Sequence, residues 1–434
     1  MSIRYVSVDR NTPLLLPPDL REWVQQDDLV HFLVDALPLV DLSGAAVNQR
    51  GTGSEQYPPG MMLGLLVYCY ANGIFSSRRI ERATYQNVSV RYLCADTHPD
   101  HDTIAKFRRE NGPLLRQAFV GLLQLAARSG LLQLGTLVLD GTKLEANASK
   151  RKTLTKAQLE AELQRLDVCV TELMARAEQA DAQAAEPEAL PAQLADVQRR
   201  RARLLAAQAQ LEEQQRLRHE QREQERQTCP PGSKPKAVPL RPGGQATVNP
   251  TDPDSTLTPA ANRPYIQGYN AQVVISGQPR GLIVAADVVR DTNDLRQLAP
   301  MVGQAVANTG QNPQAVLVDT GYDNLRQILD VEAATGGQVL CPPAASAKER
   351  AGAGGGGWRA FRKAQRQAMR ARLQTPAAQQ LYALRGITVE PALGIIKSVL
   401  GFRRFMLRGL EKVKLEWVLV ALAFNCRRMA VAGA

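Results

Sequence analysis

Histidine and cysteine are scarce in this chain and widely scattered. Four His and six Cys stand among 434 residues. The cysteines are Cys69, Cys94, Cys169, Cys229, Cys341 and Cys426, and no two of them form a C-x-x-C pair. That spacing argues against a zinc framework or a disulfide scaffold, so reduced thiols in a cytoplasmic protein are expected. A long apolar run is also missing. One long uncharged and largely apolar stretch, Gly60 to Ser77, contains Asn72, Gly73 and two serines. It reads as a buried core helix, so no membrane partner is expected. The amino terminus, Met1-Ser-Ile-Arg-Tyr-Val-Ser7, has no signal-peptide pattern. The glycines of residues 345–357 lack the G-x-x-x-x-G-K-[ST] order of a phosphate loop, and that segment reads as a flexible loop. Acidic residues are the minority charge: 42 Asp and Glu face 53 Lys and Arg, a net +11. A surplus of that size suits a polyanion such as DNA, the alternative being charge that serves solubility alone.

Three of the acids stand in informative places. Asp140 ends Thr136-Leu-Val-Leu-Asp140, Asp319 ends Ala315-Val-Leu-Val-Asp319, and Glu390 lies in the helix-forming stretch Val389-Glu390-Pro391. The two aspartates are expected at the mouths of buried strands. Pro391 suits a first helical turn, so Glu390 is expected at a helix start. Three such carboxylates can hold two Mg²⁺ ions, with Mn²⁺ able to substitute. Such a pair stabilises the attacking and leaving oxygens of an in-line phosphoryl transfer.

Around Glu390 the chain reads Tyr382-Ala-Leu-Arg385-Gly-Ile-Thr-Val-Glu390-Pro-Ala-Leu-Gly-Ile-Ile-Lys397. This segment resembles the third block of the DDE transposases of bacterial insertion sequences, in which a Tyr, an Arg, the catalytic Glu and a Lys follow one another. The Glu-to-Lys step of seven agrees with that block; the Arg-to-Glu step is five where many members have four. Asp319-Thr-Gly-Tyr322-Asp-Asn324 is similar to the family's second block and Leu139-Asp140-Gly-Thr142 to its first. The likeness extends to Tyr57-Pro-Pro-Gly-Met61 and Pro99-Asp-His-Asp-Thr-Ile104. It implies a magnesium-dependent enzyme that binds terminal inverted repeats, cleaves with a metal-activated water, and joins the freed 3′-hydroxyl to target DNA as a homodimer. It also implies metal ligands at Asp140, Asp319 and Glu390. Phosphate contacts would come from Tyr382, Arg385 and Lys397, continued by Arg403, Arg404 and Arg408. Two rivals are a catalytically inactive DNA-binding descendant and an RNase H-like nuclease without strand transfer.

The expected fold is mixed α/β: an RNase H-like mixed sheet with flanking helices, a helical amino-terminal domain and an inserted antiparallel coiled-coil hairpin. Residues 1–130 read as short helices and a DNA-binding domain, with one helix spanning Asp19 to Leu37. The catalytic domain would comprise 131–149 and 246–434. It would hold a three-stranded antiparallel meander, a helix from Thr292 to Asn308, and alternating strands and helices beyond. Residues 150–226 carry Leu159, Leu163, Leu166, Val170 and Leu173 at coiled-coil spacing, with Thr155 and Gln158 as a capping box. The second helix of that hairpin places Arg201 and Gln208 on its seam, Glu186 to Pro191 interrupts the pair, and the hairpin is expected to project from the core. Residues 227–249 read as a mobile Pro/Gly-rich linker. The basic helix opening at Trp358 is a phosphate-contact candidate. The stripe Leu410, Val413, Trp417, Val420 and Phe424 reads as core.

Overall fold

A computed structural model of the chain describes residues 19–47, 55–182, 190–228, 236–260, 263–279, 281–344 and 357–433. The expected glycine-rich loop and most of the interruption at 186–191 lie outside them. Six helices come first: α1 Leu29–Ala36, α2 Pro59–Ala71, α3 Ser77–Gln86, α4 Val88–Leu93, α5 His101–Glu110 and α6 Gly112–Arg128. The expected helix from Asp19 to Leu37 is split in two, a 3₁₀ turn at Leu20–Trp23 and α1. Asp28 causes the break, because its side chain accepts from Val30 N at 2.9 Å and caps a new helix.

Strand β1 spans Leu132–Glu145, followed by β2 Leu154–Thr155, α7 Lys156–Ala182, α8 Leu190–Thr228 and β3 Thr247–Val248. Then come β4 Thr256–Ala260, β5 Arg263–Pro279, β6 Ile283–Val289, α9 Leu298–Thr309, β7 Ala315–Leu317, α10 Leu325–Thr335 and β8 Gln338–Leu340. The last helices are α11 Trp358–Gln374, α12 Pro376–Gly394 and α13 Leu410–Gly433. One mixed six-stranded sheet runs β4-β5-β1-β7-β8, with β6 also on β5. The β1–β5 and β5–β6 pairs are antiparallel, while β1–β7 and β7–β8 are parallel.

Helix α13 joins the sheet to the amino-terminal helices. It packs against β6 on one side and α1, α2 and α6 on the other, within one continuous core. Val413, Trp417, Val420 and Phe424 are buried there, as their stripe predicts. Each large side chain so buried contributes about 1.5–3 kcal/mol. Several polar groups in this layer are paired. Trp417 Nε1 donates to Gln272 O at 2.9 Å, and Glu416 accepts from Tyr70 Oη at 2.8 Å and from Met406 N and Leu407 N at 2.9 and 3.0 Å. The apolar stretch from Gly60 forms α2, whose residues Met62–Ala71 are all buried. No helix among the described residues is long and apolar enough to cross a membrane.

Helices α7 and α8 pack together through Leu159, Leu163, Leu166, Leu204, Ala207 and Leu211. The capping box at their root is reciprocal: Thr155 N donates to Gln158 Oε1 at 2.9 Å and Gln158 N to Thr155 Oγ1 at 3.2 Å. Arg201, polar at a seam position, is ion-paired with Asp167 of the facing helix. The pair does not project along its whole length. Gln210 and Gln214 of α8 donate to Asp254 Oδ1 and Pro253 O, and Glu225 pairs with Arg296 at 2.8 Å. Residues 236–249, expected as a mobile linker, lie back along α8, where Gln215 Nε2 donates to Pro239 O at 2.7 Å and His219 Nδ1 bonds Val238 O at 2.6 Å.

Candidate functional site

The sheet places the two aspartates side by side. The parallel β1–β7 ladder ends at Val138 paired with Leu317. Two residues further along each strand stand Asp140 and Asp319. Neighbouring strands lie about 4.8 Å apart, so positions in register are adjacent however far apart they are in sequence. Asp319 follows its strand, as expected, and caps a 3₁₀ turn by accepting from Gly321 N at 2.8 Å. Asp140 does not end a strand. β1 runs on to Glu145, because its antiparallel pairing with β5 outlasts the parallel ladder and Asp140 itself pairs with Val273.

Glu390 arrives on α12, which packs across β1, β5 and β7. It lies well inside the helix and not at its start. Pro391 lacks the N–H that would bond the carbonyl of residue 387, and residue 387 is exposed, so water can satisfy that group. Beyond it the helix widens into a π turn, Ile395–Val399, closed by Leu400 N donating to Ile395 O at 2.9 Å. Such turns recur at functional sites.

One guanidinium ties the acids together. Arg385 Nη2 lies 2.8 Å from Asp140 Oδ2 and 3.6 Å from Asp319 Oδ2, and Nη1 lies 3.8 Å from Glu390 Oε1. Asp140 and Arg385 are both 17% exposed, Asp319 is 41% and Glu390 65%. The cluster therefore runs from a buried floor to an open rim. Burial pushes Asp140 up to about 6, against the lowering effect of Arg385 and of the Gly141 N–H, and the charges of Asp319 and Asp294 add to the rise. Among the described residues, no group of three or more His, Cys, Asp or Glu side chains stands assembled around a cation position. The acids meet on Arg385 instead.

The remaining candidates fall into two groups. Tyr382 is half-buried, and its hydroxyl donates to Val318 O at 3.1 Å, holding α12 to the segment between β7 and Asp319. Lys397 is half-buried in the π turn. Burial draws its ammonium below the usual lysine range, and the charge of Asp140 opposes that. Arg403 is exposed, with Nε on Lys397 O at 3.0 Å. Arg404 and Arg408 are not beside the acids. They lie at the far end of β1, on Glu145 Oε2 at 3.0 Å and Asn147 O at 2.9 Å. The basic helix α11 is partly neutralised: Arg366 pairs with Asp323, and Arg372 with Glu332.

A fourth carboxylate was not singled out from the sequence. Asp294 lies between β6 and α9, in a stretch read as helix, whereas α9 begins only at Leu298. Its Oδ1 accepts from Asn270 Nδ2 and Gln272 Nε2, both at 2.7 Å, and lies 3.6 Å from Lys143 Nζ, an ion pair beyond hydrogen-bond length. Gln272 in turn accepts from the buried Tyr322 hydroxyl. Both glycines beside the aspartates make room here. A Cβ on Gly141 would lie 2.8 Å from Asp294 Oδ1, and one on Gly321 3.5 Å from Asp294 Oδ2 and 2.9 Å from Asp319 Oδ1. The signal available was Asp291-Thr-Asn-Asp294, turn-forming residues directly after a strand.

Comparison with known families finds a match near each end of the chain. Residues 357–430, which include Tyr382, Arg385, Glu390 and Lys397, match the family described as Transposase DDE domain. Residues 18–110, holding α1 to α5, match the Transposase domain (DUF772). The chain carries matches to two transposase domains, one near each end. The DDE match lies on α11 to α13, so it takes in Glu390 and the arginine that gathers the acids. No curated protein and no solved structure matched the chain.

Proposed function

We propose that the chain is an insertion-sequence transposase that binds the terminal inverted repeats of its element, cleaves DNA there and joins the 3′-hydroxyl end to a target, acting as a homodimer on paired ends. The observation that carries this reading is the convergence of Asp140, Asp319 and Glu390 on Arg385. The strand order, with each aspartate two residues past the last paired position of parallel neighbours and an acid from the covering helix, supports an RNase H-like catalytic domain.

The donor set suits magnesium. All three side chains offer hard carboxylate oxygens, they gather about one positive group, and neither His nor Cys intervenes. Asp140, Asp319 and Glu390 would hold the ions, with Mn²⁺ a substitute. Bound there, the metal supplies Lewis-acid stabilisation of the attacking and leaving oxygens. The chain's own residues do the rest. Arg385 balances the acids in the free protein and is placed to turn to a DNA phosphate once they are otherwise neutralised. Lys397 adds a second cation from the π turn. Tyr382 fixes α12 against the end of β7, so Glu390 and Arg385 move with the strand that carries Asp319. Asp294 holds Gln272, and through it Tyr322, beneath the aspartates.

Single variants test this reading. Asp140→Asn, Asp319→Asn and Glu390→Gln should each abolish magnesium-dependent cleavage of a duplex carrying the element's end, while gel-shift affinity for that duplex persists. Cleavage at the wild-type rate by any one of them removes that residue from the centre.

A further inference from the structure

Five residues beyond Asp140 on β1, the chain builds a separate basic pocket of about 490 Å³. We infer that it takes one unpaired nucleotide of a DNA strand, its base stacked on Tyr265 and its flanking phosphates on Lys150, Arg151, Lys152 and Arg408. The inference rests on the reading of the chain as a DNA-processing enzyme and adds to it a second contact point. At about 3.3 Å per residue the pocket lies roughly 17 Å from Asp140. That corresponds to about five nucleotides of a B-form strand.

The walls are fixed, and the Lys150, Arg151 and Lys152 side chains are exposed to face a ligand. Lys150, Arg151 and Lys152 form one exposed 3₁₀ turn. The turn is clamped at both ends: Asn249 Nδ2 donates to Ser149 O at 2.8 Å and to Thr153 Oγ1 at 3.1 Å, and Thr153 Oγ1 donates to Gln267 Oε1 at 3.0 Å. On the opposite wall, Glu145 holds Arg404, and Arg408 is anchored through Nε on Asn147 O at 2.9 Å. Five cationic side chains thus line the pocket against the single carboxylate of Glu145.

Tyr265 decides what kind of nucleic acid fits. It lines the pocket and is 51% exposed. A paired duplex presents phosphate rails to a protein surface and offers no free base face to an aromatic ring. An unpaired nucleotide offers a base to the ring and phosphates to the cations, the combination used by single-strand binding sites. The volume falls within the range of about 300–1,000 Å³ typical of small-ligand pockets, which suits one nucleotide and not a helix.

The test uses the full chain in metal-free buffer and fluorescence anisotropy with a labelled single strand and the matching duplex. Tyr265→Ala should weaken single-strand binding about ten-fold and leave duplex affinity within about two-fold, and Tyr265→Phe should restore it. Arg151→Ala should lower the single-strand slope of log K against log salt by about 0.7. Melting temperatures of the variants should match wild type, since Tyr265 and Arg151 are exposed. Single-strand affinity unchanged by Tyr265→Ala, or an equal loss on strand and duplex, overturns the pocket assignment. Loss of the cleavage reading would appear only in magnesium assays, so the two failures are distinguishable.

Discussion

Arg385 Nη2 stands 2.8 Å from Asp140 Oδ2, and the same guanidinium reaches Asp319 and Glu390. A side chain expected to touch phosphate is therefore the internal countercharge of the acids. Arg385→Gln should leave three carboxylates facing one another. Removing one partner of a buried pair costs about 3–5 kcal/mol, and the open rim here screens that to about 1–3. Thermal melting without metal should show the loss. Calorimetry should show Mn²⁺ binding about ten-fold more tightly in the variant than in wild type, the equivalent of ~1.4 kcal/mol. Unchanged Mn²⁺ affinity would mean that Arg385 does not compete for the acids.

The pH behaviour of Asp140 follows from its burial. Its carboxyl is raised to about 6, above the unfolded value of about 3.9. A raised folded value favours the protonated form, so this group's contribution to stability is fully present below about pH 4 and is lost as pH rises through about 6. Two units correspond to roughly 3 kcal/mol at most. Carboxyl ¹³C shifts of metal-free protein should titrate with a midpoint near 6 for Asp140, and magnesium should lower it. A metal-free midpoint in the ordinary aspartate range contradicts the burial argument.

Asp294 should prove a supporting residue of the site. Asp294→Ala strips a partner from Asn270, Gln272 and Lys143 together, and each buried polar group left unpaired costs about 1–3 kcal/mol. Melting temperature and cleavage rate should both fall. Asp294→Asn should restore most of the stability, because one amide oxygen still accepts from Asn270 or Gln272. An alanine variant as stable and active as wild type would remove Asp294 from the account.

The helix pair α7–α8 divides at its middle. Asp167 and Arg201 face each other across it, whereas residues 210 to 228 of α8 are bonded to the body. Replacing residues 168–200 with a short Gly/Ser link should therefore leave the melting temperature nearly unchanged by circular dichroism. Removing 156–228 should destabilise the whole chain. Equal tolerance of both deletions would show that the α8 contacts carry no stability.

The sequence made the floor of the site legible and left its wiring obscure. Short apolar runs are easy to read: Leu137 to Leu139 and Ala315 to Val318 are β-prone, and a parallel pairing of their strands makes Asp140 and Asp319 neighbours. The stripe on α13 was equally plain, because a helical period of apolar residues needs no partner to be seen. Arg385 was different. Its pairing depends on how α12 is rotated over the sheet, which no local pattern encodes. Pro391 suggested a helix start, since a proline costs little there, but an exposed residue 387 lets the helix continue through it. Asp294 was hidden by reading its turn as helix. The clamp of residues 236–249 on α8 comes from Gln215 and His219, long-range hydrogen bonds without a periodic signature.

The central claim, that Asp140, Asp319 and Glu390 form one phosphoryl-transfer centre serving transposition, is tested most directly by end joining. A labelled duplex with a free 3′-hydroxyl at the element's end is incubated with supercoiled plasmid, full-length protein and magnesium. The account predicts label covalently joined to plasmid by the wild-type chain, and none with Asp140→Asn at the same level of bound DNA. Joining by Asp140→Asn at the wild-type rate, or wild-type cleavage that never yields a joined product, would contradict it.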